Sequence, residues 1–371
     1  MIRCVVTLAI LVATLQTSEA LGQSDTAAWR KKPELDLTFF LETFYCYDLN
    51  RPSGETRQPF LYSYNRHNQL NLNLGLLKLD LSHAKYRASL ALQVGTYVTD
   101  NYASEPDVLK NIHEASIGLA LDRKNKLWLD AGIFSSHIGF EGAIGIDNWT
   151  LTRSLIAENS PYFLSGAKLS YSPTPKISVA ALVLNGWQRI RTVSGNSIPS
   201  FGTQVNLRPS SSVNFNWSTF IGTDDPDTTR RMRYFSNLYS IITISKRVGI
   251  TLGCDVGMQQ KHKASKGYQA WFGAVIIGRI KVSNRWFLAT RAEYYYDKGG
   301  VIIAPLNANA FRTFGLSLNA DFIPINDLFV RLEARWFNSK DNLFKTSDGW
   351  SPNDVGFTAS IAYRLKSRLT K

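Results

Sequence analysis

Residues 328–336 read LFVRLEARW and alternate apolar with charged residues from Val330 onward. Leu328, Val330, Leu332, Ala334 and Trp336 fall on one face, and Arg331, Glu333 and Arg335 on the other. A period of two means an extended strand whose faces meet different surroundings, since a helix would gather its apolar residues at a period near 3.6. Three more segments read the same way. In 286–296, Trp286, Leu288, Thr290, Ala292, Tyr294 and Tyr296 oppose Arg291 and Glu293. In 248–258, Val248, Ile250, Leu252, Cys254, Val256 and Met258 oppose Thr251, Gly253, Asp255 and Gly257. In 212–222, Val213, Phe215, Trp217 and Ile221 oppose Asn214, Asn216 and Ser218.

Working outward from these, the pattern predicts about sixteen strands, near 34–47, 69–82, 86–98, 112–122, 127–136, 163–173, 177–187, 200–208, 212–223, 232–245, 248–259, 268–280, 285–296, 310–322, 328–338 and 355–365. Ambiguous phases in four of them leave a range of 14–18. The connections alternate in length. Short links such as Thr174–Lys176, Pro209–Ser211 and Pro324–Asp327 are followed by long ones at 48–68, 99–111, 137–162, 188–199 and onward. Short turns on one rim and long loops on the other predict an all-β, closed antiparallel transmembrane barrel with periplasmic turns and extracellular loops. A soluble β-sandwich has no reason to sort its loops by parity. Aromatic positions agree. Trp286 sits near the short-turn rim with Tyr171, Phe322 and Tyr363, while Tyr294, Tyr296, Trp217 and Trp336 sit toward the long-loop rim. Eight to ten strand residues of about 3.3 Å each, tilted about 40°, cover roughly 20–25 Å, the separation of two interfacial girdles.

The N-terminus supports export. Arg3 precedes an apolar run from Cys4 to Leu15, and Ser18-Glu19-Ala20 offers small residues at the cleavage positions. Residues 1–20 are therefore expected to be a signal peptide, with cleavage at 20 or as late as 22, leaving 21–33 as a short N-terminal segment and 34–371 as one barrel domain. About 12 apolar residues are too few to cross a bilayer, and no later window reaches 18. Of three cysteines, Cys46 and Cys254 follow the signal and fall on opposite strand faces, which argues against a disulfide or a metal site. No cofactor motif is present. A net charge of +13 on an exported chain points to anionic lipid head groups, lipopolysaccharide or anionic solutes rather than nucleic acid.

Two sets of residues are candidates for function. The longest connection, 137–162, carries Ile138, Phe140, Ile144, Ile146, Trp149, Leu151, Leu155 and Ile156, too apolar a set for a solvated loop. The expectation is that it folds into the lumen as a pore-constriction loop, with Glu141, Asp147, Arg153 and Glu158 facing the water path. An extracellular cap or a subunit contact in a homo-oligomer is the alternative. The inward strand faces supply a charged pore wall, Arg87, Arg291, Glu293, Arg331, Glu333 and Arg335 foremost, with Lys168, Arg208, Arg364, Glu114, Asp130, Asp255 and Asp321. Such charges set solute preference, or brace the wall as salt bridges. A lipid hydrolase would need a Ser/His/acid set. His137 beside Ser135 and Ser136 does not make one, because adjacent residues lack the geometry, so no enzymatic activity is expected.

The stretches YNRHNQLNLNLGLLKL (64–79), IGFEGAIGIDNWTLTRSLIAENSPYF (138–163), ALVLNGWQRI (181–190) and FGTQV (201–205) resemble the OmpL-like beta-barrel porin family common in Bacteroidetes. The resemblance implies an outer-membrane barrel, inserted by the outer-membrane assembly machinery, acting as a passive channel for small hydrophilic solutes. A mild anion preference would follow from the basic lumen. The competing reading is an occluded barrel whose outer loops bind a partner or surface ligand. The last strand, GFTASIAYRL (356–365), resembles the C-terminal assembly signal of such proteins but ends on a basic tail, Lys366 to Lys371, where that pattern has a terminal aromatic residue.

Overall fold

A computed structural model describes Trp29 and residues 31–370; the expected signal peptide and most of the segment 21–33 lie outside the described residues. Sixteen strands close into one antiparallel barrel. They are β1 Glu34–Asp48, β2 Leu70–Ser82, β3 Tyr86–Val94, β4 Ile112–Ala120, β5 Leu127–Ser135, β6 Phe163–Thr174, β7 Ile177–Leu184, β8 Ser200–Ser210, β9 Val213–Gly222, β10 Arg233–Thr243, β11 Val248–Gln260, β12 Tyr268–Lys281, β13 Trp286–Asp297, β14 Phe311–Phe322, β15 Leu328–Ser339 and β18 Asn353–Arg368. A two-stranded hairpin, β16 Phe344–Lys345 and β17 Trp350–Ser351, stands apart in the last long connection. Each barrel strand pairs with its neighbours in sequence, and β18 closes the ring against β1, so no edge is left unpaired.

Period-two alternation decides the faces. Along β13, Trp286 and Leu288 are exposed, while Arg291, Glu293 and Tyr295 are buried inside. Exposed apolar side chains such as Leu252, Val256, Ile276, Leu318, Leu332 and Ile361 clad the outside. Trp286 stacks on Phe322 at 4.7 Å near one end of this surface, and Phe272 meets Tyr294 and Tyr296 at 5.8 and 5.4 Å near the other. Cys46 points inward and is buried, Cys254 points outward and is exposed, and neither forms a disulfide.

The short connections are held by local chemistry. Asp122 accepts the N–H groups of Lys126 and Leu127 at 2.7 and 2.8 Å, with Asn125 in the left-handed region. Two expected strands end three or four residues early, β7 at Leu184 rather than 187 and β3 at Val94. The pattern runs β3 on to residue 98, but Gly95 takes φ +123° and the chain turns into the one-turn helix α1, Thr96–Asn101. A Cβ at Gly95 would meet the Asn73 carbonyl at 2.4 Å. The basic tail, by contrast, extends the barrel. β18 runs to Arg368, which pairs with Glu34 and Asp36 of β1 at 2.9 Å each, so the tail lengthens the closing seam.

Candidate pore and its inward loop

The lumen is not an open tube. Residues 136–162 enter from the long-loop rim and run down inside the barrel. At their deepest point Asp147 pairs with Arg364 at 2.7 Å, a side chain that also faces Asp327 of a short turn at 3.5 Å. Further up, TLTRSL (150–155) crosses the lumen and continues into a one-turn helix, α2, Leu155–Glu158, capped by the Ser154 hydroxyl.

One wall grips this segment. Arg291 donates to the Thr150 hydroxyl at 3.0 Å and the Thr152 carbonyl at 2.6 Å, and pairs with Glu333 at 2.7 Å and Glu293 at 3.2 Å. Glu333 accepts the Thr152 N–H and hydroxyl at 2.5 and 2.8 Å. Glu293 accepts the Leu155 N–H at 2.6 Å and pairs with Arg335 at 2.7 Å. Arg331 pairs with Asp321 at 2.8 Å and donates to the carbonyls of Gly145 and Asn148 at 2.7 and 3.0 Å. Asn319 accepts the Leu151 N–H at 2.9 Å. Arg291 and Arg331 are 0% exposed, and a desolvated arginine is tolerable only when carboxylates and other acceptors surround it, as Glu293 and Glu333 surround Arg291 and Asp321 with two loop carbonyls surrounds Arg331.

The loop's apolar side fits room left by glycines. Thr251, Gly253, Asp255 and Gly257 form the inner face of β11. There a Cβ on Gly253 would come within 2.7 Å of Phe140, and one on Gly249 within 2.6 Å of Trp149. Gly273 of β12 leaves equivalent room for Ile156. Small residues here are therefore a mould for the inward loop rather than a weakness in the strand.

These contacts correct the expected roles of three side chains. Glu141, Arg153 and Glu158 are buried rather than set along a water path; they fasten the inserted loops together, and Glu158 also borders a cavity among the long loops. Glu141 accepts the N–H of Ser154 at 2.9 Å and its hydroxyl, and burial raises its carboxyl above the ordinary range. Arg153 donates to the carbonyls of Gly142 and Ala143 and lies among the rings of Tyr64, Tyr97 and Tyr162 at 5.3 to 5.6 Å. Glu158 accepts the N–H groups of Tyr62 and Ser63 at 2.9 and 3.2 Å, and burial pushes its carboxyl up to about 7. Only Asp147 of the four is exposed. Among the wall residues, Arg87 stands apart. It forks onto Asp130 at 2.6 Å and lies over Trp128 at 4.3 Å, on the side of the lumen opposite the grip and open to solvent.

Other loops also enter, which the sequence reading missed. Phe60, Leu61 and Tyr64 of the first long connection are buried inside, as are Tyr97, Ile303, Leu343 and Phe344. With Leu155, Ile156, Trp271, Tyr295, Phe311 and Phe337, the residues Phe60, Leu61, Ile303, Leu343 and Phe344 form an apolar cluster in the long-loop half of the lumen, while Tyr97 and Tyr64 pack in separate clusters. The run PFLYSY (59–64) carries the same signal as 138–156, apolar density in a long loop, and would have marked it. Arg57 holds that loop in place between Asp48 at 3.0 Å and Asp354 at 3.2 Å. His137 is structural: its Nε2 bonds the Thr219 carbonyl at 2.9 Å and burial lowers its pKa to about 4, while the Ser135 hydroxyl goes to Glu114 at 2.8 Å. The histidine and serine are thus engaged by separate partners.

What remains of the lumen is polar space at both ends. Toward the short-turn rim, a cavity of about 450 Å³ lies between β6 and β10, lined by Lys176, Gln204, Asn206, Arg208, Asn214 and Tyr239. A second of about 360 Å³ lies beside Lys78, Arg87, Glu114, Ser116, Asp130 and Lys168. A third of about 320 Å³ opens among the long loops.

A closed sixteen-stranded barrel with a lipid-compatible outer face, short and long connections sorted by rim, and charged loops folded into its lumen defines an outer-membrane barrel of the porin class. Residues 34–365 match the family model described as "Putative beta-barrel porin-2, OmpL-like", and the chain belongs to that family. Solved porins share the fold. The anion-selective porin of Comamonas acidovorans superposes with a TM-score of 0.61 at 8% identity, over 90% of this chain and all of that one. The outer-membrane channel DcaP of Acinetobacter baumannii gives 0.58 at 12% identity, over 90% and 97% of the two chains. OprB of Pseudomonas putida gives 0.54 at 10% identity, over 93% and 97%. No curated protein matches the chain in sequence. The protein is a bacterial outer-membrane barrel, so the short turns face the periplasm and the long loops the outside.

Proposed function

We propose that this porin is a narrow, loop-constricted diffusion channel for small hydrophilic solutes, selecting by size at the inward loop and mildly favouring anions. The reading rests on one observation, the asymmetry of the lumen. Residues 141–155 are fastened to the wall from β13 to β18, whereas β8 and β9 of the opposite wall hold the start of the loop at His137 and the wall from β2 to β9 keeps Arg87, Lys168, Asn206 and Arg208 beside polar cavities. The periplasmic cavity beside Arg208 and Lys176 has no carboxylate in its lining, which supports the anion preference. Diffusion of this kind calls for no catalytic group.

The apolar cluster around Phe60, Ile156 and Phe337 favours a second reading, a barrel closed at rest whose outer loops serve a ligand. Planar-bilayer recording separates the two. The channel reading expects discrete current steps from the folded protein and larger steps when residues 141–158 are replaced by a short flexible link. Absence of current from folded wild type would remove the channel reading, and an unchanged step size in the deletion would remove the constriction.

A further inference from the structure

The outer cavity of about 320 Å³ is built from six long loops and is of amino-acid size. Its polar lining divides in two. Three carboxylates are already engaged: Asp100 by Arg66 at 2.9 Å, Glu105 by the Ile190 N–H at 2.9 Å, and Asp224 by the Trp187 N–H at 2.9 Å with Arg233 at 3.8 Å. Four groups are not, the buried Tyr102 hydroxyl among them. Glu158 is 4% exposed, and its Oε2 takes two backbone donors while Oε1 has no partner among the described residues. Asn159 is 7% exposed; its Nδ2 donates to the Leu155 carbonyl at 2.8 Å, and its Oδ1 has no partner. Arg189 Nε is buried and likewise unpartnered.

Buried polar atoms left unpaired weaken a fold, so a cavity lined by several of them is suited to a ligand that pairs them. Two neighbouring acceptors, one on a carboxylate, call for a group with several donors and a positive charge. An ammonium carries three donors and a charge that adds to the partial compensation Glu158 has from Arg153 and Arg335; a hydroxyl carries one donor and no charge. Arg189 calls for an acceptor, best met by an anion. Trp187, Val301 and Ile302 add apolar surface to the same cavity.

We propose that this outer cavity binds an amino-acid-sized zwitterion. Its ammonium lies on Glu158 Oε1 and Asn159 Oδ1, its carboxylate on Arg189, and its side chain against Trp187, Val301 and Ile302. The site is independent of whether the lumen conducts, because binding is read on the folded barrel with no current.

Calorimetry on the full chain folded in detergent at pH 8 tests it with L-leucine, 3-methylbutylamine (no carboxylate), 4-methylpentanoate (no ammonium) and glucose. Leucine is expected to bind saturably, and each of the other three at least tenfold more weakly. Glu158→Gln should weaken leucine and the amine at least tenfold, and Arg189→Met should weaken leucine and the carboxylate. Heat-shifted gel migration checks folding; if Glu158→Gln misfolds, Arg189→Met, outside the inserted segment, carries the test alone. No saturable leucine binding, glucose binding as tight as leucine, or an unchanged leucine Kd in the folded variants would overturn the assignment.

Discussion

Two walls of one lumen use arginine for opposite purposes. On β13 and β15, Arg291, Arg331 and Arg335 are buried and spend their donors on acidic neighbours and on the backbone of the inserted loop. On β8, Arg208 projects at an equivalent inward position into a polar cavity among amides and forms no ion pair with an acid among the described residues. Strand alternation places both kinds inward and does not distinguish them. What differs is cover: a charge removed from water must be paired on every side, so the gripping wall acquires carboxylates, while the open wall does without. The charged wall expected from sequence is thus two devices, a clamp and a vestibule.

Substitutions that treat the walls alike should therefore separate them. The largest effect is expected from Arg291→Ala, which strands Glu333 and Glu293 in a buried site. Loss of one partner of a buried pair costs about 3–5 kcal/mol, enough to unseat residues 150–155. Bilayer recording should then show larger and noisier current steps, and thermal unfolding should begin earlier; steps and melting like wild type would mean that the clamp does not hold the loop.

Next comes the mould. Gly253→Val puts methyl groups where Phe140 lies, and overpacking of this kind costs about 1–3 kcal/mol. A moderate rise in conductance is expected with the barrel intact; a rise as small as that of an exposed control such as Val256→Ala would show that the fit is loose.

A smaller effect is expected from pH. Burial raises the Glu158 carboxyl to about 7 in the seated loop, against about 4.3 for a solvated glutamate. A raised acid favours the seated state fully below the lower value, and that contribution is lost as pH rises through about 7. Conductance of wild type should rise between pH 5 and 8, and Glu158→Gln should flatten the profile. A slope retained in that variant would assign the dependence to another group.

The smallest effect belongs to the open wall. Arg208→Ala leaves no buried partner stranded, so stability should stay within about 0.5 kcal/mol of wild type. Only the reversal potential in a salt gradient should move, toward cations and less at high salt. A change in melting comparable with Arg291→Ala would erase the distinction between the walls.

Much of the fold was legible residue by residue. The alternation in 328–336 and its repeats marked β15, β13, β11 and β9 to within a residue or two, because a period of two in a barrel wall is enforced by lipid on one side and lumen on the other. It failed at Gly95, where a positive φ and the close Asn73 carbonyl end β3, a constraint that depends on the neighbouring strand. For the candidate site, apolar density singled out 137–162, but the roles of its charged residues were not legible. Arg153 and Asp147 look alike in a loop sequence; one lies among three tyrosine rings and the other reaches Arg364 across the barrel.

By itself the sequence determined a chain of two-sided strands, the rim on which each loop lies, and the inward face on which each wall charge stands. These follow from local periodicity and connection length, which need no partner to be read. Only the tertiary structure decided which inward arginines are clamps, why β11 carries glycines on its lumen face, and which loops share the interior with 136–162. Those outcomes depend on contacts between residues more than a hundred positions apart, such as Thr152 with Glu333 and Arg331 with Gly145. Desolvation by such distant partners, rather than residue type, turns a wall charge into a structural one.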